Sequence, residues 1–347
     1  MKKEFGGKIT KELKLKLSKS SNWKKTRFKN LVKTKIDINL FNLPGLLYRQ
    51  FFKTKGRSPS SPIPIKPLDL SFFDDDAESF KFVWFGHSAV LLNIGGKIIF
   101  IDPMMGNDAS PIASFNLKRF SIKVLDILDE LPNIDLLLLS HDHYDHLDFS
   151  SIQKLKSKVL NYWVPLGAKR HLLEWGVHNE KVIEFDWWDN SVIDNIEITF
   201  TPSRHLGGRM LRDRDKTLWG GWTIKSKIGS VFFSGDGGYG DHFKTIGNKL
   251  GPFDIGFMEC GQYDKLWHQI HMFPNESVQA GQDSYVKEII PVHWAGFSLA
   301  LHHWKAPVDD FIVAADERSC KWSVPFLGEI VTVKDWRKQS RWWDSLL

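Results

Sequence analysis

Residues 134–148 read IDLLLLSHDHYDHLD, an apolar run followed at once by three histidines and three aspartates. The apolar run predicts a strand that is covered on both faces. His141, His143, Asp145 and His146 follow its end, and the alternation of the first two points both imidazoles the same way from an extended backbone. Side chains so costly to desolvate need a shared partner, and imidazoles and carboxylates bind zinc at about 2.0–2.2 Å. The stretch therefore predicts a metal site.

Three further candidate ligands occur later in the chain. His205, Asp236 and His293 each come shortly after a predicted apolar strand. Loops at strand ends are where α/β proteins build their sites, so these side chains are expected near the first cluster. Seven ligands indicate two metal ions, which we expect to be zinc, with iron and manganese left open by the donor set.

The pattern around this cluster is rich in strands. Apolar or alternating runs predict strands at 82–85, 89–94, 97–101, 134–139, 159–164, 182–185, 196–200, 222–226, 230–233, 254–258 and 289–292. Helices are predicted at 121–131, 151–158 and 276–287. Two strand-rich halves with interspersed helices predict an α/β protein, an αββα sandwich of two mixed sheets flanked by helices.

The N-terminal part of the chain is strongly basic. Residues 1–57 contain 17 Lys and Arg and three acidic residues, which gives this part a net charge of +14. Because the whole chain carries +6, the remaining residues carry −8. Residues 58–67, rich in Pro and Ser, predict an extended linker. We therefore expect a basic, partly extended arm at 1–70 and a compact domain at 71–347. Such an arm attracts anionic surfaces, and a membrane is favoured over nucleic acid as its partner. A solvated tail without a partner is an alternative that the sequence leaves open.

Residues 40–52, LFNLPGLLYRQFF, form the most apolar early stretch. It is too short to span a bilayer, which needs about 20 apolar residues. It could lie on a membrane with its aromatic side chains inward, or it could wrap the domain and bury them. Cys260 and Cys320 indicate no disulfide framework. The sequence thus predicts a cytoplasmic protein that associates peripherally with membranes, and a homodimer is left open.

Several motifs resemble one known family. They are WFGHS at 84–88, the HDHYDHLD core at 141–148, LWGGW at 218–222, GDGGY at 235–239 and PVHW at 291–294. Over roughly residues 80–305 the pattern is similar to the metallo-β-lactamase superfamily, and within it to the N-acylphosphatidylethanolamine-hydrolysing phospholipase D family. The resemblance implies that His141, His143 and His205 hold one zinc ion, that Asp145, His146 and His293 hold the other, and that Asp236 bridges them.

The resemblance also implies an activity. Family members hydrolyse N-acylphosphatidylethanolamine to phosphatidic acid and an N-acylethanolamine, so we expect a phospholipid substrate and a metal-bridging hydroxide. Asp145, His271 and Tyr144 are the expected catalytic residues. Two alternatives remain open: a hydrolase of a soluble phosphoester, lactone or nucleic acid on the same scaffold, and a non-catalytic membrane or nucleic-acid binder.

Overall fold

The computed structural model describes residues 3–74, 76–110, 117–210, 212–333 and 340–346. Its helices are α1 (Lys11–Leu17), α2 (Leu43–Phe52), α3 (Ile127–Glu130), α4 (Phe149–Leu155), α5 (Lys169–Glu174), α6 (His242–Leu250), α7 (Pro274–Asp283) and α8 (Ala306–Glu317). Its strands are β1 (Trp23–Lys24), β2 (Arg27–Phe28), β3 (Phe80–Trp84), β4 (Val90–Ile94), β5 (Lys97–Ile101), β6 (Ile134–Leu138), β7 (Val159–Pro165), β8 (Val182–Phe185), β9 (Asn190–Ile193), β10 (Ile196–Pro202), β11 (Gly220–Lys225), β12 (Ser230–Phe233), β13 (Phe253–Glu259), β14 (Val286–Val292), β15 (Lys321–Trp322) and β16 (Ile330–Thr332).

Two seven-stranded mixed sheets form the body of the protein, as the sequence predicted. One sheet has the order β16-β3-β4-β5-β6-β7-β8 and the other β15-β14-β13-β12-β11-β10-β9. In the first sheet β5 to β8 run parallel, and in the second β12 to β15 do; the other neighbours are antiparallel. Since parallel strands of a sheet end at the same edge, the loops after β5 and β6 gather at one edge of the first sheet, and those after β12, β13 and β14 at one edge of the second.

Alternate side chains of the strands enter two different layers. Leu136 and Leu138 belong to the core cluster that also contains Trp222 and Phe257 of the other sheet. Leu137, between them, packs in the cluster that contains residues of α4 and α5. This period-two division explains why the run 134–139 is apolar at nearly every position.

The predicted elements differ from the observed ones at several helices and at short strands that were not predicted, namely β1, β2, β9, β15 and β16. The helix predicted at 276–287 is wrong at its end, because α7 stops at Asp283 and β14 begins at Val286. Helices α5, α6 and α8 were not predicted from the sequence. Residues 121–131 form a short 3₁₀ turn and α3 rather than one helix.

The N-terminal residues lie against the sandwich. Leu17, Trp23 and Phe28 are buried in the same cluster as the inter-sheet side chains. Helix α2, in contrast, has no buried residue. Across the described ranges, no helix has the length and apolar character needed to cross a membrane.

Candidate metal centre

Three histidines form the first group of candidate ligands. His143 Nδ1 lies 2.9 Å from His141 Nε2 and 3.2 Å from His205 Nε2. Ligands at about 2.0–2.1 Å from a tetrahedral zinc ion lie about 3.3 Å from one another. The spacing of these nitrogens therefore suits one ion.

Four residues form the second group, beside the first. Asp236 Oδ2 lies 3.1 Å from His146 Nε2 and 3.0 Å from His293 Nε2, and Asp145 Oδ2 lies 3.6 Å and 3.3 Å from the same two nitrogens. The same Asp236 oxygen is 3.9 Å from His141 Nε2 and from His205 Nε2. Asp236 thus stands between the two groups, and the structure brings together all seven residues that the sequence singled out.

The electrostatics of the two groups differ. Burial holds the pKa of His141 and of His205 well below the usual histidine value and also lowers that of His143, so these imidazoles are neutral. Burial disfavours charge on His293 as well, but Asp236 and Asp145 raise its pKa to about 10. The Asp236 and Asp145 carboxylates thus favour positive charge at this second group.

These residues fit divalent ions. His146 Nε2 and Asp236 Oδ1 are buried and have no hydrogen-bond partner in the protein. Buried polar atoms without partners are rare, and both belong to residues with metal-binding chemistry. A divalent cation held by His146, Asp236 and His293 would give both of these buried atoms a partner.

Buried neighbours orient these side chains. Asp102 Oδ2 accepts a hydrogen bond from His146 Nδ1 at 2.7 Å, and its Oδ1 accepts from the Ser140 amide at 2.7 Å. His87 Nε2 donates to Asp145 Oδ2 at 2.9 Å. The His87 amide also donates to the Trp294 carbonyl at 2.7 Å, and the His293 amide donates to His87 at 2.9 Å. This bridge ties the loop after β3 to the loop after β14.

Asp142 and Asp148, by contrast, support the scaffold. Asp142 accepts from the Gly208 amide at 2.6 Å and from His171 Nε2 at 3.1 Å, while Asp148 caps α4. Neither is bonded to a candidate ligand imidazole in the structure.

Tyr144 lies apart from the groups that it was expected to assist. Its hydroxyl donates to the Arg209 carbonyl at 2.8 Å, and its ring lies 3.9 Å from the Arg209 guanidinium carbon. The cavity at the candidate ligands does not include Tyr144 among its lining residues.

His271, the other expected catalytic residue, does line this cavity. Its Nδ1 donates to Glu259 Oε1 at 2.6 Å, and its ring stacks on that of His293 at 5.3 Å between centroids. Glu259 was not predicted from the sequence. Its signal was a single acidic residue at the end of the apolar strand 253–259, a position like those of the candidate ligands.

The cavity over the candidate ligands measures about 270 Å³ and has an apolar wall. That wall includes Ile36 and Ile38 of the N-terminal segment, together with Trp267 and Leu299. The N-terminal segment, which the sequence suggested as a separate arm, therefore contributes directly to the surroundings of the candidate metal centre.

Comparison with known proteins identifies the family. A model described as a beta-lactamase superfamily domain matches residues 98–294, more than half of the chain. The chain belongs to the metallo-β-lactamase superfamily. The resemblance drawn from its motifs is thereby confirmed, and as a member of this superfamily the protein is a metal-dependent hydrolase.

Relatives within the metallo-β-lactamase superfamily cover most of the chain. An uncharacterized protein of Mycobacterium tuberculosis is 35% identical over 289 residues, 82% of this chain and 77% of that protein. The N-acyl-phosphatidylethanolamine-hydrolyzing phospholipase D 1 of Caenorhabditis elegans is 30% identical over 251 residues, 69% of this chain and 70% of that protein. A metallo hydrolase structure from Ignicoccus hospitalis shares the fold, with a TM-score of 0.57 and 20% identity over 73% of this chain and 97% of that one.

Proposed function

We propose that this protein is a zinc-dependent phosphodiesterase of phospholipase D type, which hydrolyses N-acylphosphatidylethanolamine to phosphatidic acid and an N-acylethanolamine. One observation carries the proposal. The seven candidate ligands, called the cage below, open into a cavity whose outer wall is apolar. A phospholipid needs this combination, because its phosphodiester must reach the cations while its chains stay out of water. The similarity to the phospholipase of C. elegans supports the same substrate.

The seven candidate ligands would hold two ions. His141, His143 and His205 would bind one, Asp145, His146 and His293 the other, and Asp236 both. Two such ions supply hydroxide at neutral pH and neutralise the charge that develops on phosphate oxygens. Iron or manganese would suit the same oxygen and imidazole donors.

The remaining polar groups would position the substrate. Attack of a hydroxide on phosphorus breaks its bond to the ethanolamine oxygen, and the departing alkoxide takes up a proton. With both ring nitrogens protonated, His271 would donate from Nε2 to the departing oxygen or to the phosphate, because Glu259 accepts from its Nδ1 and its ring lines the cavity. Asp145, whose Oδ2 accepts from His87, would orient the nucleophile. Tyr144 would act only indirectly, through Arg209.

The proposed partner is an anionic membrane surface. Helix α2 leaves Phe41, just before it, 96% exposed and Phe52, at its end, 74% exposed. The Asp37 amide, between Ile36 and Ile38 of the cavity wall, donates to the Leu266 carbonyl at 2.7 Å, which holds the segment before α2 beside the cavity. Exposed rings flanked by cations such as Lys53 and Lys55 are typical of a surface that lies on lipid head groups.

A soluble phosphoester is the second candidate substrate. A neighbouring cavity of about 270 Å³, on the other side of Ile36 and bordered by His205, is lined by Lys29, Lys33 and Arg214. One carboxylate, that of Asp215, lines the same cavity, so positive charge predominates there. These cations would favour a compact anionic substrate over a lipid.

The experiment is hydrolysis of vesicles that contain N-acylphosphatidylethanolamine by zinc-loaded protein, with Asp145→Asn beside it. N-acylethanolamine release is followed by mass spectrometry, and bis(p-nitrophenyl) phosphate serves as the soluble substrate. Asp194→Asn, a change of an exposed aspartate in the turn after β9, is the matched control. We expect release by the parent and the control, and a loss of about 100-fold or more in Asp145→Asn.

Absence of release from vesicles by fully metallated parent would contradict the lipid assignment. Turnover of the soluble diester in that protein, lost in Asp145→Asn, would instead favour the second candidate. Equal rates for Asp145→Asn and the parent on both substrates would contradict the proposed site.

A further inference from the structure

His205 lies where the polypeptide has left the second sheet. It follows the end of β10 by three residues and is 1% exposed. Buried main-chain amide and carbonyl groups require hydrogen-bond partners, and here no neighbouring strand is at hand to supply them.

Asn30 of the N-terminal segment supplies both partners. Its Nδ2 donates to the His205 carbonyl at 2.8 Å, and its Oδ1 accepts from the His205 amide at 3.0 Å. Trp219 Nε1 donates to the same Oδ1 at 3.1 Å. The side-chain amide thus pairs with His205 as an adjacent strand would, from a position 175 residues away in the sequence.

The imidazole of His205 is held as well. Its Nδ1 donates to the Ile270 carbonyl at 2.9 Å, which leaves Nε2 free toward His143 Nδ1 at 3.2 Å. With Asn30 on both main-chain groups and Ile270 on the ring, the residue is fixed in position and in rotation. Such fixed outer partners preserve the geometry of a metal ligand.

The segment that carries Asn30 is itself anchored on both sides. Phe28 is fully buried, and its amide donates to the Asp215 carbonyl at 2.9 Å. The Lys35 amide donates to Gln269 Oε1 at 2.8 Å. These contacts fix the position of Asn30 relative to the rest of the domain.

We propose that Asn30 is a positioning residue for the metal centre, so that the N-terminal segment completes the three-histidine side of the cage. The inference rests on the proposed metal site and is independent of the lipid substrate. It predicts that loss of Asn30 weakens binding of one of the two ions.

The test is a zinc competition titration of the full chain carrying Asn30→Ala or Asn30→Asp. Asparagine 22 offers a matched control, because Asn22 Nδ2 also ties the segment to the domain, through Asp186 Oδ1 at 2.7 Å. We expect both Asn30 variants to bind one ion about 10–100-fold more weakly, and Asn22→Ala to bind both ions as the parent does. The spectrum of Co²⁺ bound at the weakened site should also change.

In Asn30→Asp the carboxylate still accepts from the His205 amide, but it repels the His205 carbonyl oxygen. This variant therefore tests the proposal if Asn30→Ala fails to fold. Parent-like affinity in the folded Asn30 variants, or an equal loss in Asn22→Ala, would overturn the role of Asn30 alone. Because zinc is the only ligand in this titration, a failure of lipid hydrolysis leaves the result intact. A parent chain that binds no zinc would overturn the metal site itself.

Discussion

Glu259 is one residue whose contacts the sequence did not reveal. Its carboxylate is buried, accepts from His271 Nδ1 at 2.6 Å, and accepts from the Met272 amide at 3.1 Å. A carboxylate on one ring nitrogen fixes the tautomer of the imidazole and its orientation. Glu259 therefore directs the second nitrogen of His271 toward the cavity.

Replacing this carboxylate by an amide should affect turnover more than binding. For Glu259→Gln we expect kcat to fall about 10–100-fold with KM changed little, because a glutamine can also donate and no longer fixes one tautomer. Steady-state kinetics on the cleaved phosphodiester, with zinc content measured in parallel, make the test. Glu317→Gln, on the exposed end of α8, should be neutral. A parent-like kcat in Glu259→Gln would remove Glu259 from this role.

Among the elements, helix α2 has an exposed apolar surface, which we expect a binding partner to cover. It has no buried residue, yet Leu47, Tyr48, Phe51 and Phe52 are exposed on it. The sequence left two readings of residues 40–52, a membrane contact or a wrap that buries the side chains. The helix does not bury them in the domain, so the membrane contact is the interpretation that supports the proposed membrane partner.

Charges on this helix surface should weaken membrane binding. We expect Phe41→Glu combined with Phe52→Glu to reduce binding to phosphatidylglycerol vesicles by about tenfold or more, since burial of each ring contributes about 1.5–3 kcal/mol. Vesicle flotation measures this, and turnover of a soluble diester should not change. Val313→Glu on α8, where the valine is 56% exposed, is the matched control. Undiminished flotation of the double variant would contradict α2 as the contact.

At the scale of the whole molecule, the candidate ligands come from both sheets. His141 to His146 follow β6 of the first sheet, while His205, Asp236 and His293 follow β10, β12 and β14 of the second. Ions held between these loops would link the two sheets. The buried charges and orphaned atoms of the cage would be left uncompensated without them.

Metal removal should therefore destabilise the entire fold. Each ion present at about 1,000 times its Kd stabilises the native state by about 4 kcal/mol, so loss of two ions corresponds to a fall in Tm of roughly 11 °C on chelation for a chain of this length. Differential scanning calorimetry with and without chelator measures the change, and added zinc should reverse it. His205→Ala should show a smaller response, whereas an unchanged Tm in the parent would argue against a linking role.

The sequence by itself determined the sandwich and pointed to the seven candidate ligands that the structure brings together. Apolar periodicity is local, so the run 134–139 and its neighbours specified the strands, and the histidines and aspartates at strand ends marked one edge. The seven candidate ligands could be named because each followed such a strand and also matched the motifs of the family that the sequence resembles. Strand ends were predicted to within a few residues, but the helix at 276–287 was extended too far, since only strand pairing told where β14 begins.

Only the tertiary structure decided which distant groups meet. The pairing of Asn30 with His205 spans 175 residues, and neither residue carries a local pattern that indicates it. The same holds for Glu259 with His271, for the turn of the Tyr144 hydroxyl toward Arg209, and for the exposure of α2. The physical reason is that periodicity reports which face of an element is buried, whereas hydrogen-bond partners and cavity walls depend on how the elements pack.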